Sequence, residues 1–312
     1  MNRLTWILGV GFVAVAALAQ QSSRDLSWAF PVATKPQPPA KEEPAQIKIP
    51  GSAKAYTRKQ IDDLTNPPDW IPNEHAPAPV AVKGEPGRKV LGCGSCHLMS
   101  GSGHPGSADL AGLPAEYIAR QMAYFRNDTR KEPARMNAIA KTTTPEEDRQ
   151  AGEYFAALKP QMWTKVTEAA TVPKTWVSNA RERFVADEPG MEPIGARIIT
   201  VPQDAEREDA RDPHSGFIAY VPVGSVKKGE ALAKGGAGKT IQCELCHGEG
   251  LKGLGEVPRI ANLHPIYIAR QLYNIKNGSS NGKAVALMKR VVANLDDDDI
   301  VNLAAYVGSL AP

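Results

Sequence analysis

All four cysteines of the chain fall in one pattern, used twice: Cys93-Gly94-Ser95-Cys96-His97 and Cys243-Glu244-Leu245-Cys246-His247. In an exported chain, four cysteines would ordinarily supply two disulfides. The spacing argues for different chemistry. A four-cysteine zinc site would have to span a gap of 150 residues, far beyond usual ligand spacing. A thioredoxin-like pair would need a βαβ context, and neither motif has one. C-x-x-C-H is instead the attachment pattern of c-type haem. Each thiol can add to one vinyl group of the porphyrin, and the adjacent histidine can then offer a ring nitrogen to iron. Two covalently attached haem c groups are expected, through Cys93 and Cys96, and through Cys243 and Cys246.

The motifs belong to a longer repeat. Tyr117-Ile118-Ala119-Arg120-Gln121 recurs as Tyr267-Ile268-Ala269-Arg270-Gln271 at the same offset of 150. Met122 and Leu272 extend an apolar i, i+4 face with Ile118 and Ile268, which is expected to pack inward. Each copy ends in a helix with a clear start. Thr144-Pro145-Glu146-Glu147 has a cap, a first-turn proline and a capping-box glutamate. Asp296 can cap the second, and the acids after it suit a positive helix N-terminus better than a calcium site.

Other features limit the class of protein. Arg3, the apolar run Leu4–Leu18 and the small residues Ala17 and Ala19 form an export signal over 1–19, with an uncleaved anchor as the alternative. Of the 312 residues, 42% are apolar, and 37 Lys+Arg stand against 34 Asp+Glu, a net charge of only +3. With no basic run, nucleic acid is not an expected partner. Gly235–Thr240 suggests a phosphate loop, but Ala233 stands where the first glycine is needed and a haem motif follows, so no nucleotide is expected.

Together these residues resemble the class I cytochromes c, specifically the tandem two-haem cytochromes of bacterial periplasms. The resemblance implies a mainly α fold: two class I cytochrome c helical modules in tandem, 88–159 and 227–312, joined by a partly β, irregular segment, 160–226. It implies His97 and His247 as proximal iron ligands. It also implies, as sixth ligands, the methionines before each last helix, Met136 and Met288, which lie 39 and 41 residues after their histidines. Met99 and Met122 are rivals in the first module, Met99 too near His97 and Met122 on a helix face. Family members commonly orient the proximal ring with a proline carbonyl. Pro258 fits that place, and Ala108 stands there in the first copy. Arg120 and Arg270 are either haem-propionate partners or solvated helix positions. His104 and His264 could complete a bis-His site, but a surface or hydrogen-bonded histidine is expected instead.

Residues 20–87 are proline-dense and are expected to form an extended or loosely ordered arm. The stretch Thr57–Leu64 has capping-box spacing and is a candidate substitute for the first helix that copy one lacks, whereas Gly229–Lys234 supplies one in copy two. Ile194–Pro202 and Gly216–Val223 look like strands. Trp70, Trp163 and Trp176 are expected to pack against the modules, with partner docking as the alternative.

The function expected is electron transfer in the periplasm by two His/Met haems. Electrons would come from a dehydrogenase or quinol-oxidising complex and pass to an oxidase or reductase, with membrane contact only through an uncleaved signal. A peroxidase-like or sulfur-oxidising dihaem enzyme, or a haem-bearing subunit of a dehydrogenase complex, are the alternatives.

Overall fold

The computed structural model describes residues 25–34, 45–87, 90–132 and 134–312. The export signal expected over 1–19 lies outside them. Among the described residues no helix is long and apolar enough to cross a membrane.

Short elements lead into the first motif: α1 (Arg58–Ile61), α2 (Val80–Lys83) and α3 (Gly94–His97). There follow α4 (Ala115–Arg126), α5 (Met136–Ala140) and α6 (Pro145–Ala157). The middle of the chain turns to strands: β1 (Thr164–Glu168), β2 (Thr171–Pro173), β3 (Thr175–Val177), β4 (Arg183–Val185), β5 (Met191–Pro193) and β6 (Ile199–Pro202), then α7 (Ala205–Asp209) and β7 (Phe217–Val221). The second motif unit comprises α8 (Ser225–Gly235), α9 (Glu244–His247), α10 (Pro265–Lys276), α11 (Ala286–Val292) and α12 (Asp297–Ser309). The mainly α architecture with a β-containing middle is therefore observed.

The terminal helices start where the sequence places them. Thr144 accepts from Glu147 N–H while the Glu147 side chain returns to the Thr144 backbone, and Asp296 with Asp299 does the same. Lys239 adds its ammonium to both aspartates, at 2.8 and 2.7 Å. The repeated face is buried at Ile118, Met122, Ile268 and Leu272.

In the middle segment, β7 pairs parallel with β1 (Thr164 opposite Phe217) and antiparallel with β6 (Ile199 opposite Tyr220). Two small ribbons, β2–β5 and β3–β4, complete it. Here the strands follow the Val/Ile/Tyr-rich runs, as β-branched and aromatic residues favour the pleated surface.

Three expectations need correction. First, 45–87 is an ordered segment: Ile49, Ile61, Trp70 and Ile71 are buried together with Ala210 of the middle segment. The apolar side chains between its prolines bury enough surface to hold it down. Second, α1 forms with its capping box, but Ile61 packs into that same cluster rather than into the first module. The place of a first helix is taken by the single turn α2, which packs on α6. Third, Trp70 faces the middle segment, its indole N–H bonded to the Ala210 carbonyl at 2.9 Å, and Trp163 stacks on His214. Trp28 instead enters the core of the second module beside Tyr273.

The two motif units meet face to face. Lys131 N–H donates to the Ser279 carbonyl at 2.8 Å, and Asn281 N–H to that of Thr129 at 3.1 Å. Each bond is the image of the other under the 150-residue shift, as about an approximate two-fold axis.

Candidate haem sites

Each motif is anchored in the same way. Cys93 N–H donates to the Ala81 carbonyl of α2, and Cys243 N–H to the Ala233 carbonyl of α8, both at 2.9 Å. One helical turn then carries the chain from cysteine to histidine. His97 N–H and His247 N–H bond back to the Cys93 and Cys243 carbonyls at 3.0 and 2.9 Å. The turn ends at left-handed positions, Leu98 (φ 59°) and Gly248 (φ 74°). Only the second copy has the residue that adopts this conformation without strain.

Both imidazoles are buried and oriented from behind. His97 Nδ1 lies 2.8 Å from the Ala108 carbonyl, and His247 Nδ1 lies 2.8 Å from the Pro258 carbonyl. A carbonyl only accepts, so Nδ1 carries the proton and the lone pair sits on Nε2. Burial pushes His97 down to about 4 and also lowers His247. Both rings are therefore neutral at pH 7, the form that binds a metal.

In the first unit a cavity of about 1550 Å³ is lined by Cys93, Cys96, His97 and Met136, with Leu113, Met122 and Phe155 among its apolar walls. Met136 opens α5 and packs against Met122, Phe125 and Ala140. Met288, in α11, packs against the second core. Met99 is buried with α2 and α6 residues, away from the Met136 cluster. The four thiols are unbridged. Free thiols, neutral imidazoles with an available Nε2, a thioether sulfur and an apolar cavity form a donor set that fits haem c.

The repeated arginines and His264 lie where the two units and the middle segment meet. Arg120 donates to the Glu256 carboxylate at 2.7 Å, and Arg270 to the Pro105 carbonyl, so each reaches from its own unit to the other. Arg270 also lines the first cavity. His264 is buried, with Nδ1 2.7 Å from the Thr164 hydroxyl.

His104 is the hydrogen-bonded histidine the sequence suggested, whereas the roles of Glu182, Arg130 and the Asp109–Arg259 pair come from the fold. His104, partly buried beside the first motif, pairs with Glu182 of the middle segment at 2.7 Å. Burial opposes its charge, but Glu182 prevails and holds it up to about 10. Burial would also raise the Cys96 thiol, yet the His104 hydrogen bond and charge bring it down to about 7. Arg130 bridges the units, donating to Gln121 and Gln271 at 2.7 Å each and to the Tyr267 hydroxyl at 3.2 Å. Arg259 bonds Asp109 at 2.6 Å. The last pair occupies repeat-equivalent positions with opposite charge, a signal visible when the copies are aligned.

The chain is similar to known proteins. A family model described as cytochrome c matches residues 226–311. The chain is 26% identical over 227 residues to the thiosulfate dehydrogenase electron acceptor of Thiomonas intermedia, covering 71% of this chain and 79% of that one. It is 32% identical over 82 residues to cytochrome c-554(548) of Halomonas halodenitrificans, covering 26% of this chain and 96% of that protein. Among solved structures, the thiosulfate dehydrogenase TsdBA of Marichromatium purpuratum, in its as-isolated form, superposes with a TM-score of 0.50 at 27% identity. That match covers 73% of this chain and 38% of the other.

Proposed function

We propose that this chain, which belongs to the cytochrome c family, is an exported periplasmic carrier that holds two haems in tandem modules with His/Met ligation. It transfers electrons through covalently attached haem c. Each haem supplies a reversible one-electron ferric/ferrous couple, whose potential methionine ligation raises relative to bis-His.

The chain's residues bind and hold that group. Cys93 and Cys96 would form the thioethers in the first module, and His97 and Met136 would hold the iron. Cys243, Cys246, His247 and Met288 would do the same in the second. The carbonyls of Ala108 and Pro258 keep each proximal ring in one tautomer and orientation, so that little rearranges when the charge on iron changes. Ile118, Met122 and Phe155 exclude water from the first site, and Ile268 and Leu272 belong to the second core. If His97 with Met136, and His247 with Met288, each hold an iron, the protein leaves no coordination position for a substrate, which supports a carrier role.

The observation that most supports this reading is the matched pair of neutral, buried imidazoles, each held 2.8 Å from a carbonyl eleven residues further on. The likeness to a protein named as a thiosulfate dehydrogenase electron acceptor favours a dehydrogenase of inorganic sulfur compounds as the donor. An oxidase or reductase would be the acceptor. Charge does little to select either. Residues 88–160 and 228–312 each hold 10 Lys+Arg against 8 Asp+Glu. A second reading, a haem-bearing subunit bound to its dehydrogenase, is favoured by the likeness to TsdBA. Co-purification of a catalytic subunit distinguishes it from a free carrier.

The test is the absorption spectrum of the dithionite-reduced holoprotein before and after carbon monoxide. An unchanged spectrum is expected. A shift in about half of the haem absorbance would expose one open iron, and the carrier assignment would fail for that module.

A further inference from the structure

The repeat makes residues 109 and 259 equivalent, and they carry opposite charges. Between the modules they meet as a buried ion pair: Arg259 Nη2 lies 2.6 Å from Asp109 Oδ2, and both side chains are only 3% exposed. The same guanidinium donates to the carbonyl of Ala111 at 3.0 Å and to that of Ala261 at 2.8 Å. Those two alanines are also repeat-equivalent. Asp109 Oδ1 in turn accepts from Ala111 N–H at 3.0 Å. One arginine thus fastens the same backbone stretch of both modules to a single carboxylate.

That stretch is the one that orients the histidines. The residue before Asp109 is Ala108, whose carbonyl holds His97, and the residue before Arg259 is Pro258, whose carbonyl holds His247. From ring to ring the path is His97, Ala108, Asp109, Arg259, Pro258 and His247, through two hydrogen bonds, two peptide steps and one ion pair. A hydrogen bond to Nδ1 sets the rotation of a ligating imidazole and its basicity toward the metal. A shift of either backbone therefore turns a ring.

We propose that Asp109 and Arg259 are positioning residues that lock the two proximal imidazoles into one mechanical unit, so that the electronic state of each haem depends on a side chain in the other module. This rests on the assignment of His97 and His247 as proximal ligands. Opposite charges at equivalent positions also make the pairing directional. Two first modules would bring aspartate against aspartate, and two second modules arginine against arginine, so only the unlike pair closes the interface.

The test is the proton NMR spectrum of the ferric holoprotein, whose haem methyl shifts report axial-ligand orientation. Each set is assigned to its module through Overhauser contacts with the proximal histidine. The unsubstituted protein comes first: two low-spin haems are expected, and a high-spin haem there is a failure of the ligand assignment. Asp109→Asn keeps the side-chain shape and removes the charge. It is expected to move methyl resonances of both haems, including the one whose module it does not belong to. Arg259→Lys keeps the charge and removes the planar fork, and serves if the first variant does not fold. It is expected to do the same from the other side. Movement confined to the substituted module, or a fall in melting temperature with neither set moved, would reduce the pair to an ordinary interface pin and overturn the proposal.

Discussion

The two modules share a register and differ in how each closes its core. In the second, the three-turn helix α8 packs along α12, and Leu232 and Ala233 join α10 and α12 side chains in one apolar cluster. Trp28 and, from the middle segment, Ile198 and Val221 complete it. In the first, α2 offers one turn, and the buried residues divide into two groups, one around Phe155 and one around Phe125. The walls of its cavity are finished from outside, by Trp176, Glu182 and Phe184 of the middle segment and by Arg270 and Gln271 of the second module. A repeat can therefore preserve its ligand chemistry while one copy transfers part of its framework to neighbours. Ligand placement is local to a turn and a loop, whereas core volume can be supplied by any element that reaches it.

Removing a proposed distal ligand should expose this difference most. Met136→Ala and Met288→Ala are each expected to open one iron and let carbon monoxide shift about half of the reduced haem absorbance. The looser first module should admit the gas faster, as stopped-flow mixing would read. Equal rates would erase the distinction between a self-built and a borrowed framework.

Next in size is Trp28→Ala. Truncating a fully buried tryptophan costs about 3–5 kcal/mol, and here the loss should fall on the second module. Trp70→Ala should cost a comparable amount but loosen the cluster of Ile49, Ile61 and Ile71, leaving the second module as it was. Hydrogen exchange resolved along the chain separates the two.

Acid should act at the seam between β1 and the second module. Burial holds His264 down to about 3, below its ordinary 6.5. The unfolded chain therefore binds a proton that the folded one refuses. Its contribution is present above pH 6.5 and falls as pH drops toward 3, by at most about 1.4 kcal/mol per unit. His264→Gln should flatten that part of the stability profile in denaturant titrations at pH 4–7. An unchanged slope would remove His264 from the acid response.

Smallest is Arg120→Ala. Its bond to Glu256 is partly solvated, and a pair of this kind contributes about 0.5 kcal/mol. A melting-temperature change indistinguishable from that of Glu256→Ala is expected. A large loss would mean that Arg120 has a second role, such as a haem propionate.

Much of the candidate site was legible because its signals are local. The cysteine spacing, the histidine after it, the capping boxes at Thr144 and Asp296 and the apolar face around Ile118 and Ile268 each depend on residues within one or two turns. Trp70 and the Thr57–Leu64 stretch carry visible signals, but the cluster that Trp70 and Ile61 join is set by the fold. Burial of an apolar side chain says that it has a partner, not which one. The cross-module contacts of Arg120, Arg270, Arg130 and Arg259 were less legible still, since an arginine on a helix or loop has the same pattern whether it meets water or a second domain.

The sequence by itself carried the chemistry of this protein: two C-x-x-C-H motifs for covalent haem, a histidine closing each, and methionines at matched distances from those histidines. Bond formation and ligand spacing are properties of short stretches. Only the tertiary structure decided how the copies face each other, which module completes its own core, and that Asp109 and Arg259 join the backbones behind the two histidines. Those outcomes depend on side chains brought together across 150 residues of chain, where the apolar area buried and the polar groups satisfied select one docking from many that the sequence pattern allows.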